Sequence, residues 1–181
     1  PTLDRDQRAL ALLELGQDYM SAGLFDRAES LFKELTEMRL HESQAYANLR
    51  TIYQQEKDWD ACLSVAKKLE RITGEPLRME RAHYYCELAQ EACDRKDLDE
   101  AKDLLRKAHS IDKRCVRATI LMGRLAERSG DFASAIRTYR QVEEQDADYL
   151  AEILPSLVEC YRREGNRDEL TSYLKRLSEK R

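Results

Sequence analysis

The stretch LLELGQDYMSAGLFDRAESLFKEL, residues 12–35, contains the pattern that decides the fold. A small residue lies in a first helical segment (Gly16), and a glycine marks a turn (Gly23). A second helical segment then contains a small residue and an aromatic residue (Ala28 and Phe32). Small residues allow two helices to cross closely, because a bulkier side chain at the crossing would force them apart. The stretch therefore predicts two helices that pack back against each other.

The same pattern returns 34 residues later, where Tyr19 corresponds to Tyr53 and Phe25 corresponds to Trp59. A helix–turn–helix unit with a period of 34 residues is the tetratricopeptide repeat. We therefore predict an all-α fold, a right-handed superhelix of about five helix pairs in one continuous array over residues 1–181. The predicted units fall at about residues 9–42, 43–76, 82–115, 116–149 and 151–181.

The second unit departs from the pattern at Arg50, which occupies the position of Gly16 one period earlier. Long basic side chains can bury their methylene groups while the charged end stays in water. We therefore expect the Arg50 guanidinium to reach solvent.

The charge balance and the absence of catalytic motifs argue against two classes of function. The chain has 31 basic and 35 acidic residues and a net charge of −4. A general nucleic-acid binder would need a clear basic excess, so this class is disfavoured. The sequence also lacks a Ser-His-Asp arrangement, a glycine-rich phosphate loop and an H-E-x-x-H motif. We therefore expect a protein that is not an enzyme.

The five cysteines are odd in number and form no C-x-x-C motif, which argues against a disulfide framework or a zinc ribbon. We expect them to be reduced thiols and expect no metal site in this chain. An alternative is a metal or redox site built from His83, Cys86 and Cys93 on one helical segment, with Cys93 able to join only if the helix bends.

The first helices of the repeats should line a concave face, which is the candidate surface for binding a protein or peptide. Amide side chains on this face could hold the backbone of an extended peptide, and arginines could hold a carboxylate. The plainer alternative is that these are solvated groove residues. The candidate residues are Gln17, Asn48, Thr51, His83, Gln90, Arg124, Glu127 and Arg128.

Five stretches resemble one protein family more closely than the general repeat requires. They are LGQDYMSAGLFDRAESLF (15–32), IYQQEKDWDACLSVAKKL (52–69), ERAHYYCELAQ (80–90), DLDEAKDLLRKA (97–108) and MGRLAERSGDFASAI (122–136). On these stretches the chain resembles the lipopolysaccharide assembly protein B family of Gram-negative bacteria.

The resemblance implies a larger protein than this chain. It implies an N-terminal anchor in the bacterial inner membrane, a repeat array on the cytoplasmic face, and a C-terminal rubredoxin-like domain that binds iron or zinc. That domain would need paired C-x-x-C motifs, which this sequence lacks. We therefore expect no cofactor here, and expect both the anchor and the metal domain to lie outside this chain. Contact with the membrane would then occur only through the anchor.

The resemblance also implies a function, that of an adaptor without catalytic residues. Such adaptors help a membrane-bound AAA+ protease degrade the deacetylase that commits sugar nucleotide to lipid A synthesis. The expected partners are therefore these two proteins, with no nucleic acid. The alternative is a generic peptide-binding repeat protein, such as a co-chaperone or a secretion adaptor.

Overall fold

A computed structural model describes residues 4–179 of the chain. These residues form ten α-helices and no β-strand, so the all-α prediction is confirmed. The helices are α1 (Arg5–Ser21), α2 (Phe25–Met38), α3 (Glu42–Glu56), α4 (Trp59–Thr73), α5 (Arg78–Asp94), α6 (Leu98–Ile111), α7 (Val116–Arg128), α8 (Phe132–Gln145), α9 (Leu150–Glu164) and α10 (Arg167–Glu179). One turn of 3₁₀ helix, Ala147–Tyr149, precedes α9.

Aspartate side chains begin several of these helices. At the starts of α4, α6 and α8, Asp58, Asp97 and Asp131 each accept a hydrogen bond from the backbone N–H three residues further along. Each bond satisfies an N–H group that has no partner within the helix itself. At the end of α4, Gly74 has a φ of +74°, which glycine adopts without a clash of Cβ. These local signals explain why the helix bounds lie close to those expected from the repeat.

The chain divides into two compact units between Tyr84 and Tyr85, within α5. The first unit contains α1 to α4, and the second unit contains α6 to α10. Within residues 4–179, no helix is long and apolar enough to cross a membrane. The single continuous array stays a prediction.

In the first unit, α1 and α2 cross where Gly16 faces Phe32. Phe32 is fully buried, and a Cβ atom on Gly16 would lie 2.6 Å from a carbon of its ring. Carbon atoms in van der Waals contact are about 3.5–4.0 Å apart, so a side chain at Gly16 would displace the ring. This contact confirms the expectation that a small residue lets the two helices approach closely.

Arg50 is half-buried, and the contact with solvent expected for its guanidinium stays a prediction. Its Nε and Nη1 atoms are buried and have no hydrogen-bond partner among the described residues. Ala66 occupies the repeat position of Phe32 and is fully buried. A methyl group leaves the space that an aromatic ring would fill, so we attribute the inward position of Arg50 to the small partner. The guanidinium also acts on Tyr84, whose pKa burial raises to about 12 while the positive charge opposes the rise.

In the second unit, helices α7 to α10 share one hydrophobic core that includes Tyr139, Leu157 and Tyr161. Tyr139 is fully buried, and a Cβ atom on Gly123 would overlap its ring. The Tyr139 hydroxyl donates a hydrogen bond to Glu127 Oε2 at 3.0 Å. The close approach of α7 and α8 therefore depends on a glycine opposite an aromatic residue, as in α1 and α2.

Candidate functional site

Four of the predicted binding residues belong to the first unit, on helices α1, α3 and α5. Gln17 and Thr51 are exposed, and Asn48 is half-buried. The Thr51 hydroxyl donates to the Ala47 carbonyl at 3.2 Å, so its donor is already used within α3. Gln17 and Asn48 are the two predicted amides that this unit contributes.

His83 is exposed and lies in a small cluster of aromatic side chains in the first unit. Its ring contacts Trp59 edge-on at 6.2 Å between centroids, and Trp59 stacks on Tyr84 at 6.0 Å. The Tyr84 hydroxyl accepts a hydrogen bond from Gln54 Nε2 at 2.9 Å. Such ring contacts stabilise packing. The contact with Trp59 therefore gives the His83 ring a role in packing that does not require a binding partner.

The second unit contains a cleft of about 190 Å³ that brings two of the predicted residues together, Gln90 and Arg124. We call it the arginine cleft. Its lining combines apolar side chains with polar and charged ones. The lining residues are Gln90, Arg117, Ile120, Leu121, Arg124, Tyr149 and Glu152.

Each arginine of the arginine cleft is paired with a carboxylate. Arg124 Nη2 lies 2.8 Å from Glu152 Oε1, and both side chains are 47% exposed. Arg117 Nη2 lies 2.7 Å from Glu87 Oε1. Exposed ion pairs contribute only about 0–1 kcal/mol, because water screens them and both side chains lose freedom. A carboxylate from a partner could therefore replace Glu152 on Arg124 at small cost.

Glu127 and Arg128 lie on the same helix as Arg124 but are not part of the cleft lining. Glu127 accepts the hydrogen bond of the buried Tyr139 hydroxyl, so it supports the packing of α7 and α8. Arg128 is exposed in the last turn of α7. The structure thus gives Glu127 a structural contact that the repeat register does not reveal.

Several residues of the arginine cleft were missed by the sequence reasoning. Arg117 is seven residues before Arg124, a spacing that puts both on one face of a helix and could have identified it. Tyr149 is 43% exposed and comes from the 3₁₀ turn, and Glu152 follows at the start of α9. No repeat rule predicts that this turn lies beside α7.

The five cysteines are free thiols, and three of them are buried. Among the described residues, no group of three or more His, Cys, Asp or Glu side chains is arranged to hold a metal ion. Cys86 Sγ lies 3.9 Å from Cys115 Sγ, a neighbour on another helix that the proposed set of His83, Cys86 and Cys93 did not include. The sequence alternative of a metal site thus gains no support from the geometry.

The comparisons with known proteins agree with the repeat pattern and with the resemblance. The tetratricopeptide repeat family matches residues 92–157. Lipopolysaccharide assembly protein B of Escherichia coli strain K12 is 38% identical over 178 residues, which cover 98% of this chain and 46% of that protein. The Haemophilus influenzae protein of the same name is 34% identical over 174 residues, covering 96% and 44%. The chain therefore spans about half the length of these curated relatives.

Solved structures with a similar fold include the crystal structure of MamA, with a TM-score of 0.57 and 18% identity over 92% of this chain and 88% of that one. Another is YrrB, described as a TPR protein with an unusual peptide-binding site, with a TM-score of 0.52 and 17% identity. It covers 88% of this chain and 79% of that one. At these identities the likeness concerns the fold alone. It confirms the prediction of a tetratricopeptide-repeat fold.

Proposed function

We propose, since this chain belongs to the lipopolysaccharide assembly protein B family, that it is the protein-binding part of a non-enzymatic adaptor that regulates lipopolysaccharide synthesis. The observation that carries the proposal is the identity of 38% along 98% of the chain to a protein named for lipopolysaccharide assembly. The adaptor promotes degradation of the lipid A pathway deacetylase by a membrane AAA+ protease. It works at the cytoplasmic face of the bacterial inner membrane, held there by an anchor outside this chain.

The arginine cleft supports a role in binding protein. Its two arginines, its exposed Tyr149 and the apolar Ile120 and Leu121 could receive an acidic segment that also carries an apolar side chain. Arginine and tyrosine are the residue types enriched among those that dominate binding energy at interfaces. We therefore place recognition of the deacetylase at this cleft, with Arg124 binding a carboxylate of the deacetylase in place of Glu152.

Calorimetric titration of the chain with purified deacetylase tests this proposal. We expect micromolar or tighter binding that weakens between low and physiological salt, because screening reduces attraction between charges. Arg124→Ala should weaken binding by about fivefold or more, which corresponds to about 1 kcal/mol. The matched control is Arg106→Ala, an exposed arginine paired with Asp103 on α6, which should leave the affinity unchanged.

Absence of heat at any accessible concentration would exclude the chain as the part that recognises the deacetylase. The same titration with the soluble part of the protease would then test docking to the other partner. Equal losses in the Arg124 and Arg106 variants would show that net charge, and not the arginine cleft, controls binding.

A second candidate is a generic peptide-binding repeat protein, and the size of the arginine cleft favours it. A cleft of about 190 Å³ can hold a short segment but not a folded surface. This candidate predicts that isolated peptides bind as tightly as the whole deacetylase and that Arg124→Ala abolishes their binding. If a library of C-terminal peptides yields no binder while the intact deacetylase binds, this second candidate is excluded.

A further inference from the structure

Two cysteine thiols from different helices lie close together in the second unit. Cys86 lies on α5 and Cys115 is the N-cap residue of α7, and their Sγ atoms are 3.9 Å apart. They are 29 residues apart in the sequence. A disulfide has an S–S distance of about 2.05 Å, so the two sulfur atoms must approach by about 2 Å to bond.

The two thiols differ in access to solvent. Cys86 is fully buried, whereas Cys115 is partly exposed. We therefore expect a small oxidant to reach the partly exposed Cys115 before the fully buried Cys86. This is the order that a reactive cysteine and its resolving partner require.

The pKa values of the two thiols are also shifted in opposite directions. The hydrogen bond with Cys86 lowers the pKa of Cys115 to about 7, and the backbone N–H groups of Ala118 and Arg117 act in the same direction against burial. The same hydrogen bond, together with burial, raises the pKa of Cys86. Cys115 is therefore the more readily ionised of the two thiols. A thiolate at the start of a helix is favoured by the aligned N–H groups there.

Charged groups around the pair act in both directions. Asp112 opposes ionisation of Cys115. Arg117 favours ionisation of Cys86, and Glu87, its ion-pair partner at 2.7 Å, opposes it. The hydrogen bond between the two thiols is the largest influence on both pKa values, and the charges of Arg117 and Glu87 act on Cys86 in opposite directions.

The other three cysteines provide internal comparisons. Cys62 and Cys160 are buried, and burial raises the pKa of each thiol to about 11. Burial also raises the pKa of Cys93, which is partly exposed. Since the thiolate is the reactive form, Cys115 should react before any of them.

We propose that Cys86 and Cys115 form a peroxide-sensitive dithiol, in which a hydroperoxide oxidises Cys115 and Cys86 then closes a reversible disulfide. The arrangement of one partly exposed and one buried thiol within 3.9 Å carries this proposal. It does not depend on the identity of the protein partner.

The two steps balance. In the first, the Cys115 thiolate attacks hydrogen peroxide, the O–O bond breaks, and Cys115 becomes a sulfenic acid. Hydroxide leaves and becomes water by taking up the proton that Cys115 released on ionising. In the second, the Cys86 sulfur attacks the Cys115 sulfur, the S–O bond breaks, and the oxygen leaves as water with the Cys86 proton. The sum converts two thiols and one hydrogen peroxide into one disulfide and two waters. The thiols are oxidised and the peroxide is reduced.

The disulfide would join the two helices that contribute Gln90 and Arg124 to the arginine cleft. Gln90 is four residues after Cys86 on α5, and Arg117 and Arg124 follow Cys115 on α7. Oxidation would therefore tether one wall of the cleft to another.

The test treats the intact, reduced chain with one equivalent of hydrogen peroxide and digests it with trypsin under non-reducing conditions. Cleavage after Arg81, Arg95, Arg114 and Arg117 gives fragment 82–95, which contains Cys86 and Cys93, and fragment 115–117, which contains Cys115. We expect the two fragments joined, with loss of two hydrogen atoms, and separated again by dithiothreitol. In Cys93→Ser the joined product should persist, which assigns the bond to Cys86.

Two further variants separate the steps. In Cys86→Ser, dimedone should trap a sulfenic acid at Cys115 and no joined fragment should form. In Cys115→Ser, the rate of peroxide consumption should fall at least about tenfold, because the remaining thiols are less ionised. The proposal is overturned if wild-type Cys115 stays a thiol, if it proceeds to sulfinic acid without a joined fragment, or if the bond links Cys93.

Discussion

The helix pairs α3–α4 and α7–α8 solve the same packing problem in opposite ways. In α7–α8 the first helix carries Gly123 and the second carries the fully buried Tyr139. In α3–α4 the first helix carries Arg50 and the second carries the fully buried Ala66. Both pairs therefore combine one large and one small residue at corresponding repeat positions, with the large residue on the first helix of α3–α4 and on the second helix of α7–α8.

The two solutions differ in how well the polar atoms are satisfied. The Tyr139 hydroxyl donates to Glu127 at 3.0 Å. Arg50 instead buries Nε and Nη1 without a hydrogen-bond partner among residues 4–179. A buried unpaired polar group costs about 1–3 kcal/mol, so the exchange of sizes in α3–α4 carries a penalty that α7–α8 avoids.

The largest effect is expected from substitutions at the crossing of α1 and α2, where the small Gly16 faces the large Phe32. We call this pairing of a small with a large residue the size match. Phe32→Ala should lower the free energy of unfolding by about 3–5 kcal/mol, because it leaves a cavity. Gly16→Leu should lower it by about 2–3 kcal/mol, because the added side chain overlaps the ring. The double variant should lose at least about 1 kcal/mol less than the sum, since leucine fills the space that the ring left. Urea unfolding of all four proteins measures this, and simple additivity would refute the size match.

The next effect has the opposite sign and concerns Arg50. Arg50→Met should raise the free energy of unfolding by about 1–2 kcal/mol, because it replaces the buried unpaired Nε and Nη1 atoms with an apolar side chain. The control Arg124→Met, on an exposed arginine, should change it by less than about 0.5 kcal/mol. Chemical denaturation gives both values. A loss of stability in Arg50→Met would mean that Arg50 has a partner in solution.

The smallest expected effect concerns the hydrogen bond between Tyr139 and Glu127, whose contribution to the free energy of unfolding should depend on pH. Tyr139→Phe should lower the free energy of unfolding by about 1 kcal/mol at pH 7, because Glu127 loses its hydrogen bond. Burial and the Glu127 carboxylate raise the pKa of Tyr139. Above the unfolded pKa of about 10, the unfolded chain releases the tyrosine proton while the folded chain keeps it. The free energy of unfolding of the wild type therefore falls above pH 10 by about 1.4 kcal/mol per pH unit, whereas below pH 10 the stability is fully present. Denaturation at pH 8, 10 and 11 should therefore show the difference between wild type and variant shrinking above pH 10. A difference that is constant across this range would contradict the assigned cause.

Much of the fold could be predicted because the repeat is a local pattern. The period of 34 residues aligns Phe25 with Trp59, and these two residues begin α2 and α4. The candidate site was predicted less completely. Gln90 and Arg124 line the arginine cleft, whereas Glu127, on the same helix, supports Tyr139. The position of a residue in the repeat predicts only approximately which side of its helix it faces. Residues a few positions apart on α7, such as Arg124 and Glu127, can therefore face the cleft or support the core.

The sequence by itself determined the helices and the period, because aspartate caps, glycine turns and apolar spacing act within a few residues of one another. Only the tertiary structure decided that Arg50 buries Nε and Nη1, that Cys86 lies beside Cys115, and that Tyr149 and Glu152 complete the arginine cleft. Each of these contacts joins residues from different helices. Their positions depend on how side chains of different size pack at each crossing, which no repeat consensus specifies.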